Sequence, residues 1–308
     1  MKRLYALAFA LLLPITGWTQ YNSYVAYANG TAPSYSGLWW NASESGWGVS
    51  ISHQADTLFA VWYTYDRDGS PMWLIMPDLL LIDDGDTMMG MMEMGMMTSM
   101  NRMPPSYTGK LYRSTGPAFS SATFDRDAVG VNEVGMATLM FIGNGRGVFA
   151  YTVGEFSASK TITRMAFSSG MPTCTVGGVA KSSDGINYQD LWWRPTESGW
   201  GVNLAHQGDT LFATWYTYDS AGRGLWMIMS SATKTGENTY AGKVYRASGP
   251  SFDSATWDAS RVKLNEVGSA TFRFSDAASG TFAYTVEGVT QSKPISRMVY
   301  ALPASVCN

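Results

Sequence analysis

The sequence is poor in cysteine, histidine and charge. Its 308 residues include two Cys and two His, and Asp, Glu, Lys and Arg together make up 15% of the chain, against about 25% in an average soluble domain. Two cysteines are too few for a zinc ribbon or an iron–sulfur site. With 21 basic and 24 acidic residues, the chain also lacks the positive excess that binding to nucleic acid phosphates requires.

Sequence motifs of the common enzyme classes are missing as well. There is no Gly-x-Ser-x-Gly, no His-Glu-x-x-His and no glycine-rich phosphate loop ahead of a helix. Glu44 with Glu133, repeated as Glu197 with Glu266, would be the carboxylate pair of a glycoside hydrolase, but nothing in the sequence brings the two members together. We therefore expect a protein that is not an enzyme.

Long apolar runs are confined to the start of the chain. Lys2 and Arg3 precede an apolar run over residues 4–15, which is too short to span a bilayer and is typical of a signal peptide. We predict a signal peptide over residues 1–19, with cleavage before Gln20 or after Ala28. Because no later segment reaches 18 apolar residues, we expect no membrane span in the mature chain and a periplasmic or extracellular location, where disulfides form.

The residues that are abundant favour β structure. Aromatic residues reach 14% and glycine counts 32, a profile typical of strands joined by tight turns. From Trp47 to His53 apolar residues alternate with small or polar ones, which predicts a strand buried on one face only.

The chain contains two copies of one unit. Residues 38–48 read Leu-Trp-Trp-Asn-Ala-Ser-Glu-Ser-Gly-Trp-Gly, and eight of these eleven residues recur at 191–201. This match continues at an offset of 153 residues. A second block, 107–167, recurs as 240–300 at an offset of 133 residues, so the first copy carries 20 additional residues between the blocks. Internal repeats of this size predict two domains of the same fold.

Each unit is predicted to be all-β, with seven or eight antiparallel strands. Short strands with Gly, Asn and Asp turns indicate a meander β-barrel or a sandwich, and the aromatic content favours the barrel. We place repeat 1 at 35–174, with a Met-rich insertion over 78–106, and repeat 2 at 188–307.

The two cysteines occupy equivalent positions. Cys174 and Cys307 each lie nine residues after the methionine of a matched Arg-Met pair, Arg164-Met165 and Arg297-Met298. One disulfide between them would join the ends of the two units, and an intermolecular bridge from each copy is the alternative.

The repeated motifs resemble those of a family of secreted bacterial repeat proteins. The resemblance rests on Leu-Trp-Trp, Glu-Ser-Gly-Trp-Gly, His-Gln and Asp-Thr-Leu-Phe-Ala-x-Trp-Tyr-Thr-Tyr-Asp, and later on Tyr-x-Gly-Lys-x-Tyr-Arg-x-x-Gly-Pro, Glu-Val-Gly, Tyr-Thr-Val and Ile-x-Arg-Met. It covers nearly the whole mature chain. It implies secretion and a repeat architecture, but no catalytic residue, because the family has no established activity.

The insertion in the first copy is dominated by methionine. Neutral, soft thioethers favour Cu(I) over harder ions, and the tract resembles the Met-rich segments of periplasmic and extracellular copper-handling proteins. A hydrophobic lid, an oxidant sink and low-complexity drift are the other readings of the tract. The second copy has 231–239 at this place, without methionine. Nine of the sixteen residues from 88 to 103 are Met, and they are the predicted metal ligands: Met88, Met89, Met91, Met92, Met94, Met96, Met97, Met100 and Met103.

A second set of candidates comes from the repeated aromatic and polar positions. Alternation should turn one member of each Trp pair inward and the other outward, and the two histidines should point to the core side. Around a barrel mouth such residues would stack on and hydrogen-bond to a sugar or an apolar ligand. The candidate ligand-binding residues are Trp39, Trp40, Glu44, His53, Trp192, Trp193, Glu197 and His206.

The sequence therefore predicts a secreted, non-catalytic protein that captures Cu(I) or Ag(I) with its Met-rich loop. A bivalent binder of small molecules or glycans is the alternative, and an envelope interaction or structural protein is a third. The expected partner is a soft metal ion or a small ligand, and Cu(I) is the only cofactor indicated.

Overall fold

The computed structural model describes residues 32–82, 104–143, 145–180 and 185–308. These residues form two closed eight-stranded antiparallel barrels in tandem and one three-stranded sheet. The all-β prediction is confirmed, and of the two architectures considered the barrel is the one observed.

The strands are numbered in chain order within the described residues. In each barrel every strand pairs with the next, and the first strand pairs with the last to close the wall. Short 3-10 helices lie at Ala42–Glu44, Arg126–Ala128, Pro195–Glu197 and Ala259–Arg261. Barrel 1 consists of β2 (Gly37–Trp40), β3 (Gly48–Gln54), β4 (Thr57–Tyr65), β5 (Pro71–Leu81), β6 (Ser106–Thr115), β7 (Gly130–Ile142), β8 (Arg146–Val153) and β9 (Phe156–Arg164). Barrel 2 consists of β11 (Asp190–Trp193), β12 (Gly201–Gln207), β13 (Thr210–Tyr218), β14 (Gly224–Gly236), β15 (Thr239–Ser248), β16 (Lys263–Phe274), β17 (Ser279–Val286) and β18 (Val289–Arg297). The remaining strands are β1 (Ala32–Pro33), β10 (Cys174–Val176) and β19 (Ser305–Cys307).

The period-two pattern of β4 divides its side chains between two cores. Leu58, Ala60 and Trp62 belong to the core inside barrel 1. Phe59 and Val61 belong to a separate core that also contains side chains of barrel 2. Both faces of β4 are therefore buried, one in its own barrel and one against the neighbouring barrel.

The prediction that the strand from Trp47 to His53 is buried on one face only is wrong. All seven residues of β3 are buried. The small polar residues that suggested a solvent face point toward barrel 2 instead, where the hydroxyls of Ser50 and Tyr216 share a hydrogen bond of 2.8 Å. The Ser52 hydroxyl donates to Asp190 at 2.7 Å.

The shared core between the barrels is fixed by a reciprocal pair of tryptophans. Trp73 Nε1 donates to the carbonyl of Thr217 at 2.8 Å, and Trp226 Nε1 donates to the carbonyl of Thr64 at 2.7 Å. Trp73 and Trp226 occupy matching positions in the two repeats, so the barrels face each other about a pseudo-two-fold axis.

The loops that follow β6 and β15 cross over to the opposite barrel. Phe119, in the loop 116–129 of repeat 1, is part of the core of barrel 2. Phe252, in the loop 249–262 of repeat 2, is part of the core of barrel 1. We call these loops plug 1 and plug 2, and the barrel ends that they cover the plug ends. Each barrel therefore completes its core with an aromatic side chain from the other repeat.

The extra residues of repeat 1 replace a tight turn. In barrel 2 the pair Lys234 and Tyr240 flanks the hairpin that joins β14 to β15. The equivalent pair in barrel 1 is Leu81 and Tyr107. The first four residues of the predicted insertion 78–106 thus belong to strand β5. Up to the point where the two copies diverge, β5 pairs with β6 in the same register as β14 pairs with β15.

The predicted disulfide between the two repeats is confirmed. Cys174 and Cys307 are directly opposite each other on β10 and β19 and are bonded. The intermolecular alternative does not apply, because both sulfurs are used within the chain.

We predict that the double variant Cys174→Ser, Cys307→Ser is less stable by up to about 5 kcal/mol, because the bond restricts a long loop in the unfolded chain. The cross-linked positions are 133 residues apart. Urea unfolding of the oxidised protein and of the variant measures this difference. The reduced wild-type protein should unfold at the same urea concentration as the variant. Equal unfolding midpoints for all three samples would show that the disulfide does not stabilise the fold.

Candidate functional site

The residues predicted to bind metal lie outside the part of the chain that the structure describes: Met88, Met89, Met91, Met92, Met94, Met96, Met97, Met100 and Met103. The described residues on either side locate the point of insertion. Leu81 ends β5 and pairs with Tyr107 at the start of β6. The Tyr107 hydroxyl lies 3.3 Å from Nε2 of His53. The insertion therefore joins barrel 1 at the end that contains His53, which we call the His end.

His53 is enclosed by tyrosines at the His end of barrel 1. Its Nδ1 accepts a hydrogen bond from the backbone N–H of Tyr35 at 3.3 Å, which assigns the ring proton to Nε2, facing the Tyr107 hydroxyl. The Tyr35 ring stacks between His53, at 5.5 Å, and Phe141, at 3.8 Å. With both nitrogens occupied inside the protein, this arrangement gives the imidazole a structural role.

Barrel 2 repeats the arrangement around His206. Nδ1 of His206 accepts from the Tyr188 N–H at 3.0 Å, and its Nε2 lies 3.2 Å from the Tyr240 hydroxyl. Tyr188 also donates to Asn238 Oδ1 at 2.9 Å. Because Asn238 lies in the tight turn that the insertion replaces in repeat 1, the turn of barrel 2 closes onto its own histidine cluster.

Burial keeps both histidines neutral. Loss of hydration lowers the pKa of His53 from 6.5 to about 4, and it lowers the pKa of His206 to about 4 as well. A histidine that stays uncharged at neutral pH and has an engaged Nδ1 suits a packing and orienting role better than proton transfer.

The repeated glutamates hold a tryptophan and a lysine. Glu44 accepts from Trp47 Nε1 at 3.2 Å and from Lys160 Nζ at 2.8 Å. Glu197 accepts from Trp200 Nε1 at 3.0 Å and from Lys293 Nζ at 2.7 Å. The Glu-Ser-Gly-Trp motif thus ties a short 3-10 helix to the barrel wall in both copies.

The second glutamate of each suggested hydrolase pair belongs to a different ion pair. Glu133 binds Lys110 at 2.8 Å, and Glu266 binds Lys243 at 2.5 Å. Glu44 and Glu197 bind other lysines, as described above. Each carboxylate is therefore neutralised by its own cation, which is not the arrangement of a shared acid–base pair.

The Trp pairs divide as alternation predicts. Trp39 and Trp192 are fully buried, and each donates its indole N–H to a backbone carbonyl at 2.9 Å. Trp40 and Trp193 are partly exposed, and Trp193 packs against the core between the barrels. Only the outer member of each pair is in a position to meet a ligand from solvent.

Beside Trp62 and Trp215 the barrel interiors hold only small cavities. The cavity lined by Trp62 in barrel 1 and the one lined by Trp215 in barrel 2 each have a volume of about 10 Å³, about the space of one water molecule. The indole N–H groups of Trp62 and Trp215 have no hydrogen-bond partner among the described residues. The plug residues Phe252 and Phe119 line these two small cavities. A larger, open cavity of about 580 Å³ lies at the plug end of barrel 1, where Met72, Leu74 and Phe252 are among its lining residues.

Sequence reasoning missed the plug ends. Phe119 and Phe252 are the last residues of a repeated Gly-Pro-x-Phe segment, at 116–119 and 249–252. The repetition is visible in the sequence and signals an important turn. That each phenylalanine enters the other repeat's barrel is a property of the tertiary structure and has no local signal.

We predict that neither histidine takes up a proton above about pH 5 in the folded protein. Between pH 6.5 and about 4 the unfolded chain binds protons at His53 and His206 that the folded chain excludes. Stability therefore falls as the pH is lowered through this window, by about 3 kcal/mol for each histidine. NMR titration of the imidazole ring protons measures the two pKa values, with the chain in concentrated urea as the control. Titration of either folded histidine near pH 6.5 would contradict the buried placement.

Neither the described residues nor comparison with known proteins identifies a ligand. In residues 32–82, 104–143, 145–180 and 185–308, no group of three or more His, Cys, Asp or Glu side chains is arranged to hold a metal ion. No helix in the same ranges has the length and hydrophobicity to cross a bilayer. Searches with the chain find no matching family model, no matching curated protein and no matching solved structure. What the chain does must be inferred from its own sequence and geometry.

Proposed function

We propose that the chain is a non-catalytic, extracytoplasmic protein that captures Cu(I) or Ag(I) through the methionines of the insertion in repeat 1. The observation that carries the proposal is a contrast between the two copies. The polar residues that the copies share serve internal contacts, whereas the largest difference between the copies is a Met-rich segment inserted at a hairpin.

The shared polar residues support a scaffold role for both barrels. The His, Glu and Lys residues of the motifs have matching internal partners in the two repeats, at similar distances. A duplicated catalytic site would require polar groups directed at a substrate. Retention of the same internal contacts in both copies is explained by the folding requirements of the barrel.

The position of the insertion supports a role in binding rather than in folding. Barrel 2 joins the equivalent strands through the turn between Gly236 and Thr239, so the barrel closes without the additional residues. Loops at the ends of a rigid β scaffold are common locations for binding residues. An insertion at this point adds ligands without a change in the wall of barrel 1.

The composition of the insertion supports a soft metal. Thioethers bind without losing a proton and favour Cu(I) over Zn(II) or Mg(II). The predicted signal peptide and the Cys174–Cys307 disulfide fit an oxidising compartment. Because His53 has internal partners at both ring nitrogens, we assign the ligands to thioethers alone.

We predict that a turn graft abolishes tight Cu(I) binding. In the graft, residues 82–106 are replaced by the five residues 235–239, so that Leu81 and Tyr107 keep the register of Lys234 and Tyr240. Anaerobic titration against a chromophoric Cu(I) chelator measures the affinity. We expect the wild-type chain to bind at least about 100-fold more tightly than the graft, because the graft has no Met cluster.

A variant with the nine methionines of 88–103 changed to leucine is the matched control, since it keeps the length and apolar character of the insertion. It should bind Cu(I) as weakly as the graft. The wild-type chain, the graft and the leucine variant should all have the same affinity for Zn(II). Near-UV circular dichroism verifies that the barrels are intact. Equal Cu(I) affinity of the wild-type chain and the leucine variant would refute thioether coordination.

A further inference from the structure

Each barrel holds the plug of the other repeat in the manner of a bound peptide. In barrel 1 the Phe252 ring lies edge-on to Trp62, with centroids 6.0 Å apart, and edge-on to Phe156 at 6.0 Å. Trp257 of the same plug contacts Trp47 at 6.4 Å. A buried aromatic anchor in an aromatic pocket is the usual centre of a protein–peptide contact.

The backbone of the plug is bound as well as its side chain. The Phe252 N–H donates to the carbonyl of Tyr65 at 3.0 Å, and its carbonyl accepts from the Tyr151 hydroxyl at 3.1 Å. Three residues earlier, the Gly249 N–H donates to the carbonyl of Gly69 at 3.2 Å. These main-chain hydrogen bonds fix the register of the segment independently of its side chains.

Barrel 2 makes the same contacts with plug 1. The Phe119 N–H donates to the carbonyl of Tyr218 at 3.0 Å, and the Phe119 carbonyl accepts from the Tyr284 hydroxyl at 3.2 Å. The Phe119 ring lies edge-on to Trp215 at 5.5 Å. Two independent copies of the pocket therefore hold the same segment in the same way.

The glycine of the segment is also selected by shape. A Cβ atom at Gly249 would collide with the ring of Tyr65, and a Cβ at Gly116 would collide with the ring of Tyr218. The pocket thus accepts glycine and, three positions later, phenylalanine. Proline between them restricts the backbone before binding, which lowers the entropy lost on docking.

We propose that the plug end of each barrel is a binding site for a Gly-Pro-x-Phe peptide segment, filled in the intact chain by the plug of the other repeat. The partner that this site fits is a peptide with the Gly-Pro-x-Phe sequence found at 116–119 and 249–252. In the wild-type chain the covalently attached plug outcompetes a free segment, because tethering gives it an effective concentration of roughly millimolar or more. The site becomes available when its plug is displaced. This inference is independent of copper binding.

The test uses the full chain with plug 2 disabled by replacing residues 250–256 with glycine and serine. Isothermal titration calorimetry measures binding of a synthetic peptide of residues 247–258. We expect saturable one-to-one binding to this variant and none to the wild-type chain, whose sites are filled. A peptide with Phe252→Ala should bind at least about 30-fold more weakly, and one with Gly249→Val should fail to bind.

The equivalent replacement of residues 117–123 opens barrel 2 and provides a second test, with a peptide of residues 114–125. If either open variant folds poorly, its melting temperature and refolding yield with and without peptide decide the question, since a ligand of the folded state raises both. The proposal is overturned if a folded open variant binds no peptide at about 1 mM. It is also overturned if the alanine peptide binds as well as the phenylalanine peptide, or if peptide leaves the stability and refolding of both variants unchanged.

Discussion

The exchange of aromatic plugs between the two repeats is the contact on which the rest of this structure depends. Phe119 completes the core of barrel 2 and Phe252 completes the core of barrel 1. A third core, between the barrels, covers the outer faces of β4 and β13. Burial of this apolar surface is the main favourable term in folding. A single repeat would leave both its plug end and its outer wall exposed to water.

Because the chain contains the same barrel twice, the two copies share many polar motifs. Glu44 and Glu197 each bind a tryptophan and a lysine of their own barrel. The glycine of each Glu-Val-Gly motif lies where the backbone of the next strand approaches, so that a Cβ at Gly135 would collide with the carbonyl of Thr152. A pseudo-symmetric dimer within one chain requires these contacts twice. The shared motifs are therefore explained by the fold. The insertion in repeat 1, which the second copy lacks, is the better guide to function.

Much of the fold could be predicted from the sequence, because alternation, turn residues and internal repetition are local signals. The pairing of the cysteines followed from the match between the copies, and the inward placement of the histidines followed from alternation along their strands. The burial of Ser50 and Ser52 did not, since small polar residues on a strand face usually indicate solvent. Their partners, Tyr216 and Asp190, lie in the other repeat. The placement of Phe252 in the core of barrel 1 could not be predicted either, because its contacts join segments far apart in the chain.

The candidate site was predicted less completely than the fold. The buried placement of Trp39, Trp192 and the two histidines agrees with their alternation, but a pattern of residues cannot show whether a polar group has an internal partner. The nine methionines lie outside the described residues, so their role stays a prediction. In the sequence they lie between β5 and β6 of barrel 1, whose repeated glutamate and histidine have internal partners.

Plug exchange and the shared core make the two barrels one cooperative unit. Differential scanning calorimetry of the intact, disulfide-bonded chain tests it most directly, by comparison of the calorimetric and van't Hoff enthalpies of unfolding. Reciprocal plugging and the shared core predict a single transition in which the two enthalpies agree. Two separable transitions, or a calorimetric enthalpy about twice the van't Hoff value, would show that each barrel unfolds alone and would contradict the account.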